Sequence, residues 1–343
     1  MNKKKIVVLI SILAVISITS YLYVTVFSSN TKFEKDEMYV YIPTGAAYDD
    51  VIKILEPNIK SSSNFKFIAQ KRNYDQNVFP GRFLFKKGMN SFQMVSALRH
   101  NIPLNLAFNN QESLEKLVSR LSSQMELDSV TMINSFRDTT FLKKNGFNNE
   151  TILGMFIPNT YEVKWNISAE KFRDKMAQEY INFWNSDRLA KAKALNMSSQ
   201  EVIALAAIVH KETVKIDERP RVAGVYLNRL NLGMPLQADP TIIFALKKRD
   251  NNFNQVIKRV FSGDLQIQSP YNTYLNIGLP PGPIAMPDIS AIDAVLNAEK
   301  HNYIYFCASV ERFGYHEFAE TFEQHGVWAK KYREWINNQG VER

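Results

Sequence analysis

The stretch from Ser198 to Glu212, SSQEVIALAAIVHKE, carries more structural information than any other in this chain. Ser198-Ser199-Gln200-Glu201 is a capping box, in which the serine can take the amide of the third residue and the glutamate can reach back. Val202 to Val209 then shows no polar residue on any face, and a helix that is apolar all round must lie inside a protein. Glu212 follows directly, with Ile208 and Val209 one turn back and Leu205 two turns back. A carboxyl there is poorly solvated, which raises its pKa. A raised pKa suits a general acid working near neutral pH, including one that protonates the leaving oxygen of a glycosidic bond. Position alone does not settle the matter, since a glutamate at a helix end is more often solvated or salt-bridged.

Working outward, residues 101–343 read as one helix-rich domain. Helices are expected over 111–122, 169–184, 219–230, 241–248 and 289–298, with a Pro/Gly-rich loop at 278–287. A hairpin follows, with strands at 303–308 and 315–319 and a turn through Arg312-Phe313-Gly314, and then an amphipathic helix over 323–338. Toward the N-terminus, residues 38–100 switch repeatedly between strand-like and helix-like periodicity and read as a small β-α-α-β module with a trailing helix. Strands are expected at 38–42, 81–85 and 103–108, and helices at 46–55, 61–72 and 91–99. The fold class is therefore α+β.

The first residues add a membrane element. Lys3, Lys4 and Lys5 precede Ile6 to Phe27, a run free of charge, Gly and Pro. As a helix it is about 33 Å long, enough for a bilayer core of about 30 Å. A cleaved signal peptide is the alternative, but the run is long for one and Ser28-Ser29-Asn30 is a poor cleavage site. The expectation is one uncleaved span, a basic tail (1–5) in the cytoplasm, a polar stalk (28–37) and everything beyond on the outer side. The formal charge is +8, which suits solubility or affinity for an anionic wall or lipid surface.

Several chemistries lack their signatures. No zinc-finger spacing or P-loop is present, and an outward-facing domain should not meet nucleic acid. His210-Lys211-Glu212 lacks the second histidine of a zinc motif, and no Gly-x-Ser-x-Gly marks a serine nucleophile. The single Cys307 excludes an intrachain disulfide, and in the apolar run Tyr303–Ala308 it reads as an inert buried thiol. Polar and aromatic groups that could serve a sugar site occur at Gln237, Asp239, Tyr271, Asn272 and Tyr274. Asp239 could equally cap the following helix with Pro240 at its first position.

Taken together, these segments resemble the endolytic murein transglycosylase family, also called YceG-like or MltG-like. The matching stretches are IPNTY (157–161), AIVHKET (207–213), ERP (218–220), VYLNRL (225–230), GMPLQADPT (233–241), YNTY (271–274), GLPPGPI (278–284), YIYF (303–306) and HEF (316–318). The likeness is specific over about 150–320 and looser over 38–150. It implies one transmembrane helix, a LysM-like module and a catalytic domain. Glu212, directly before Thr213, stands where the family has its catalytic glutamate. His210 replaces an earlier glutamate of that segment, and Phe108-Asn109-Asn110 stands where relatives tend to carry a Glu-Gly pair.

The resemblance implies non-hydrolytic cleavage between N-acetylmuramic acid and N-acetylglucosamine, giving 1,6-anhydro ends, with no metal or cofactor. Gln237, Asp239, Tyr271, Asn272 and Tyr274, which lie in the matching stretches, remain the candidate substrate-binding residues, and the resemblance implies peptidoglycan synthases as partners. Two rival readings are a lysozyme-like hydrolase, using Asp239 or Glu218 as second carboxylate, and a wall-binding scaffold without activity.

Overall fold

The computed structural model describes residues 3–338. Its elements, in chain order, are α1 (Lys3–Phe27), β1 (Glu37–Ile42), α2 (Tyr48–Leu55), α3 (Ser62–Lys71), β2 (Gly81–Lys86), α4 (Ser91–Ala97), β3 (Leu104–Phe108), α5 (Leu114–Ser122), α6 (Ser129–Phe136), α7 (Thr139–Lys144) and β4 (Asn159–Val163). After these come α8 (Ala169–Phe183), α9 (Ser186–Ala194), α10 (Ser199–Glu212), α11 (Arg219–Asn231), α12 (Asp239–Arg249), α13 (Ile289–Leu296), β5 (Tyr305–Ala308), β6 (His316–Ala319) and α14 (Phe322–Asn338). The molecule is mixed α and β, helix-rich, with an apolar N-terminal helix and a C-terminal β-hairpin, as the sequence patterning indicates.

The chain divides into two compact units. The first comprises residues up to Leu106 with Gln124–Glu126 and Tyr161–Ser168. Hydrogen bonds draw the two outlying segments in. The Glu126 carboxylate accepts from the Thr44 amide and hydroxyl at 2.6 and 2.7 Å, and Asn101 Nδ2 donates to Asn166 Oδ1 at 2.9 Å.

Within this unit β1 and β2 pair antiparallel, Val40 opposite Phe83 and Ile42 opposite Gly81. Alternation sends Val40, Ile42, Phe83 and Phe85 into a core closed by Val51, Leu55, Phe65, Ile68 and Met94 of the three helices. Gly81 sits at φ +144°, and a Cβ there would fall within 2.8 Å of the Asn101 amide, so only glycine fits.

Helix α1 contains Ile6–Phe27, a run of 22 residues long and apolar enough to cross a membrane; its most apolar 18-residue window is unburied, while Thr25 and Val26 at its end pack against the rest of the first unit. The stretch read as a stalk is bonded to the module. Asn30 donates through Nδ2 to Ser61 O and Ser91 Oγ at 2.9 and 3.0 Å and accepts from the Ser61 amide at 2.7 Å. Its backbone also bonds to Met89 and Lys60.

The second unit is built round α10. Ser198 and Glu201 form the expected capping box, and every side chain from Val202 to Val209 is at most 3% exposed. Helices α9, α11, α12 and α13 and the 3-10 turn at Ile152–Met155 pack against it. The loop 278–287 is largely buried. Ile284, Ala285 and Met286 are at most 2% exposed, and Met286 O accepts from Asn110 Nδ2 at 2.8 Å. A Cβ on Gly282 would lie 2.1 Å from Glu150 O. Cys307 is half-buried in β5 opposite Glu317, not fully buried as its apolar neighbours suggest, because all four residues of this short strand keep partial exposure. Burial first, and the Glu317 charge second, push its thiol pKa up.

Asn30→Ala removes three side-chain hydrogen bonds from a buried site, and we expect a loss of about 1–3 kcal/mol, read as a lower urea midpoint in detergent solution.

Candidate active site

Glu212 ends α10, where the buried helix reaches the surface, and its side chain is partly exposed. Tyr226 arrives from the next helix, α11: its hydroxyl donates to Glu212 Oε1 at 2.5 Å, and the residue is 1% exposed. Burial raises the Glu212 pKa to about 7, against the Tyr226 hydrogen bond and the His316 charge, which pull it down; the Asp239 charge adds to the rise. Burial and the Glu212 charge likewise push the Tyr226 phenol well above its ordinary range, so it stays a donor. With Oε1 taken by that donor, Oε2 is the oxygen left to carry and exchange a proton.

Arg229 lies one turn further along α11 and is 7% exposed. Its Nε donates to Ile304 O at 2.7 Å, and its Nη1 to Leu236 O at 2.9 Å and, more weakly, to Gln237 Oε1 at 3.4 Å. It thus ties α11 to the hairpin side and to the loop before α12. That loop is fastened to the 269–276 loop through Thr273, which accepts from the Gln237 amide through its carbonyl and from the Ala238 amide through its hydroxyl, both at 3.0 Å. Gln237 is held at φ +52°, a left-handed conformation uncommon outside glycine, and its side chain is exposed.

The five polar candidates divide. Gln237 and Asp239 are exposed, and Asp239 Oδ1 accepts from the Tyr274 hydroxyl at 2.6 Å, within electrostatic reach of Glu212. Tyr271 and Asn272 lie inside. Tyr271 is 1% exposed, and its hydroxyl donates to Glu150 Oε2 at 2.7 Å. Asn272 is fully buried and spends Nδ2 on Leu265 O and Ile267 O, both at 2.9 Å. Their side chains hold the loop that presents Tyr274.

Glu218 is 5% exposed and committed to His316: it accepts from the His316 backbone N–H at 2.7 Å and pairs with Nδ1 at 2.8 Å. Burial alone would raise its pKa, but His316 outweighs that and holds it below the usual range. His210 faces Asp288 at 3.2 Å, and the buried Arg219 donates to the same carboxylate at 2.6 Å. His210 is thus part of a cluster joining the ends of α10, α11 and α13. Among the described residues, no group of three or more His, Cys, Asp or Glu side chains is arranged to hold a metal ion.

Sequence reasoning did not single out Tyr226, Arg229 or His316 as parts of the site. All three lie inside the motif stretches quoted above, which was the available signal, but no spacing rule directs them at Glu212.

The YceG-like family model matches residues 40–331. The chain belongs to this family. It is 27% identical over 326 residues to a protein of Bacillus subtilis named endolytic murein transglycosylase, covering 88% of this chain and 86% of that one. A protein of the same name from Streptococcus pneumoniae is 27% identical over 321 residues, covering 85% of this chain but 57% of its own length. The crystal structure of a yceG-like protein from Listeria monocytogenes is similar with a TM-score of 0.57 at 28% identity, over 86% of this chain and 99% of that one.

Two outcomes test the electrostatics of this YceG-like site. In Tyr226→Phe the lost donor moves the Glu212 titration midpoint upward from about 7, followed by isotope-edited infrared or NMR spectroscopy of the carboxyl. The raised pKa of Glu212 gives a stability contribution that is present at acid pH and lost as pH rises through about 7. Glu212→Gln is therefore expected to melt like wild type near pH 4 and to be more stable by about 1–3 kcal/mol above pH 8 in calorimetry.

Proposed function

We propose that this chain is a membrane-anchored endolytic murein transglycosylase with Glu212 as its single acid/base. The observation that carries the reading is a carboxyl at the end of a buried helix, its pKa raised to about 7, within a chain of the YceG-like family. The names of the bacterial relatives supply the reaction class.

Protonated Glu212 gives its Oε2 proton to the oxygen joining C1 of N-acetylmuramic acid to N-acetylglucosamine, and the C1–O bond breaks. The carboxylate then takes the proton of the muramyl C6 hydroxyl as that oxygen bonds to C1. A 1,6-anhydro ring closes, no water is consumed, and Glu212 ends protonated as it began. The Tyr226 donor supports the carboxylate stage without occupying the reacting oxygen. Gln237, Asp239 and Tyr274 form the accessible edge offered to sugar, and Tyr271 and Asn272 support it from inside.

In this reading α1 crosses the plasma membrane once with its N-terminus in the cytoplasm, the first unit is a LysM-like wall-binding module, and internal cuts release nascent strands from membrane-bound synthases. The three N-terminal lysines and the β-α-α-β order are what support these parts.

Mass spectrometry of purified sacculi treated with the protein is expected to show 1,6-anhydro-muramic ends, with Glu212→Gln reducing their release by at least about 100-fold. Reducing-end muramic acid in their place would identify a hydrolase, and equal release by wild type and variant would remove the catalytic claim. Because the acid form is required, cleavage is expected to fall as pH rises through about 7.

A further inference from the structure

Two hollows of about 220 and 290 Å³ lie along one face of α12 and share Phe244 and Glu112. Pro240, Ile243, Phe244 and Lys247 line the first, and Phe244 and Lys248 continue into the second. The spacing of three, four, seven and eight residues is that of a single helical face. From Pro240 to Lys248 this face runs about 12 Å. It starts beside Asp239, which lies within electrostatic reach of Glu212, and the opposite wall holds Lys211, the residue before Glu212 in α10.

The charges in the first hollow are unusual. Glu112 receives Lys211 at 2.5 Å on one oxygen and Lys247 at 2.6 Å on the other. Each carboxylate oxygen is thus engaged by one lysine, while each ammonium keeps further donors. The Lys247 side chain is only 11% exposed, so its charge is poorly screened by water. Ile243, Phe244, Ile257 and Ile284 make the rest of the lining apolar. The hollow therefore offers excess positive charge over a floor suited to small apolar side chains.

We propose that the first hollow is the groove that binds the peptide stem carried by the muramic acid whose C1 is being attacked. The inference rests on the transglycosylase reading. The stem leaves through the lactyl ether at C3 of the same ring, so it must pass the protein within a sugar's width of Glu212. It carries small apolar side chains and free carboxylates, the two features the groove complements. An extended peptide rises about 3.3 Å per residue, so the stretch from Pro240 to Lys247 takes about three residues.

The test compares glycan strands carrying stems with strands stripped of stems by an amidase. Lys247→Gln keeps much of the side chain and removes the charge; Ile243→Trp fills the hollow. Each is expected to lower kcat/KM on stem-bearing strands about tenfold while leaving stripped strands at the wild-type value. Equal losses on both substrates, or no loss on either, would overturn the proposal. Titration with GlcNAc-MurNAc-tetrapeptide reads the groove independently of cleavage. If wild type cuts neither strand, the transglycosylase reading fails, and the groove is judged by this titration alone. Binding weakened fivefold or more by Lys247→Gln sustains it, and unchanged binding refutes it.

Discussion

The second unit depends on one constraint: a helix with no polar face has to be enclosed. Because α10 buries every residue from Val202 to Val209, four other helices and the turn at Ile152–Met155 must cover it. That enclosure brings the start of α12, the middle of α11 and the hairpin to the end of α10, where Glu212 emerges. The same packing that stabilises the helix therefore dehydrates the carboxyl at its tip. Burial and reactivity have a common origin here, and the raised pKa is a by-product of core formation rather than of a separate charge arrangement.

What surrounds the carboxyl is mostly committed to fixing it. Tyr226 takes one oxygen, Arg229 fastens α11 to backbone carbonyls at Leu236 and Ile304, and Thr273 locks the two loops that carry Asp239 and Tyr274. Glu218, a candidate second carboxylate by sequence, is spent on His316. The site thus resembles a single titrating group in a stiff polar frame, which agrees with a reaction that borrows and returns one proton.

The elements legible in the sequence were those whose signals are local. The capping box and apolar run of α10, the alternation of β1 and β2 and the hairpin could be read from neighbouring residues. The short helices α6, α7 and α9 were not, because α7 has six residues and α9 buries only Ala192. Strand β4 is defined by its partner β3, far off in sequence. The site divides in the same way. Glu212 was readable from its own helix, whereas Tyr226 reaches it from the next helix, and Tyr271 and Asn272 look like ligand groups in sequence while their side chains are spent inside the loop. Polar residue type does not reveal which way a loop residue points; that is fixed by long-range partners such as Glu150 for Tyr271.

The bonding of Asn30 has a mechanical consequence. Only Ser28 and Ser29 separate the end of α1 from a residue fixed on both sides to the module's backbone. A membrane anchor joined in this way is a rigid post rather than a leash. The module can travel with the bilayer in two dimensions and tilt as the helix tilts, but it has little freedom to rise from the surface. In the anchored reading proposed above, its reach is set at the lipid boundary.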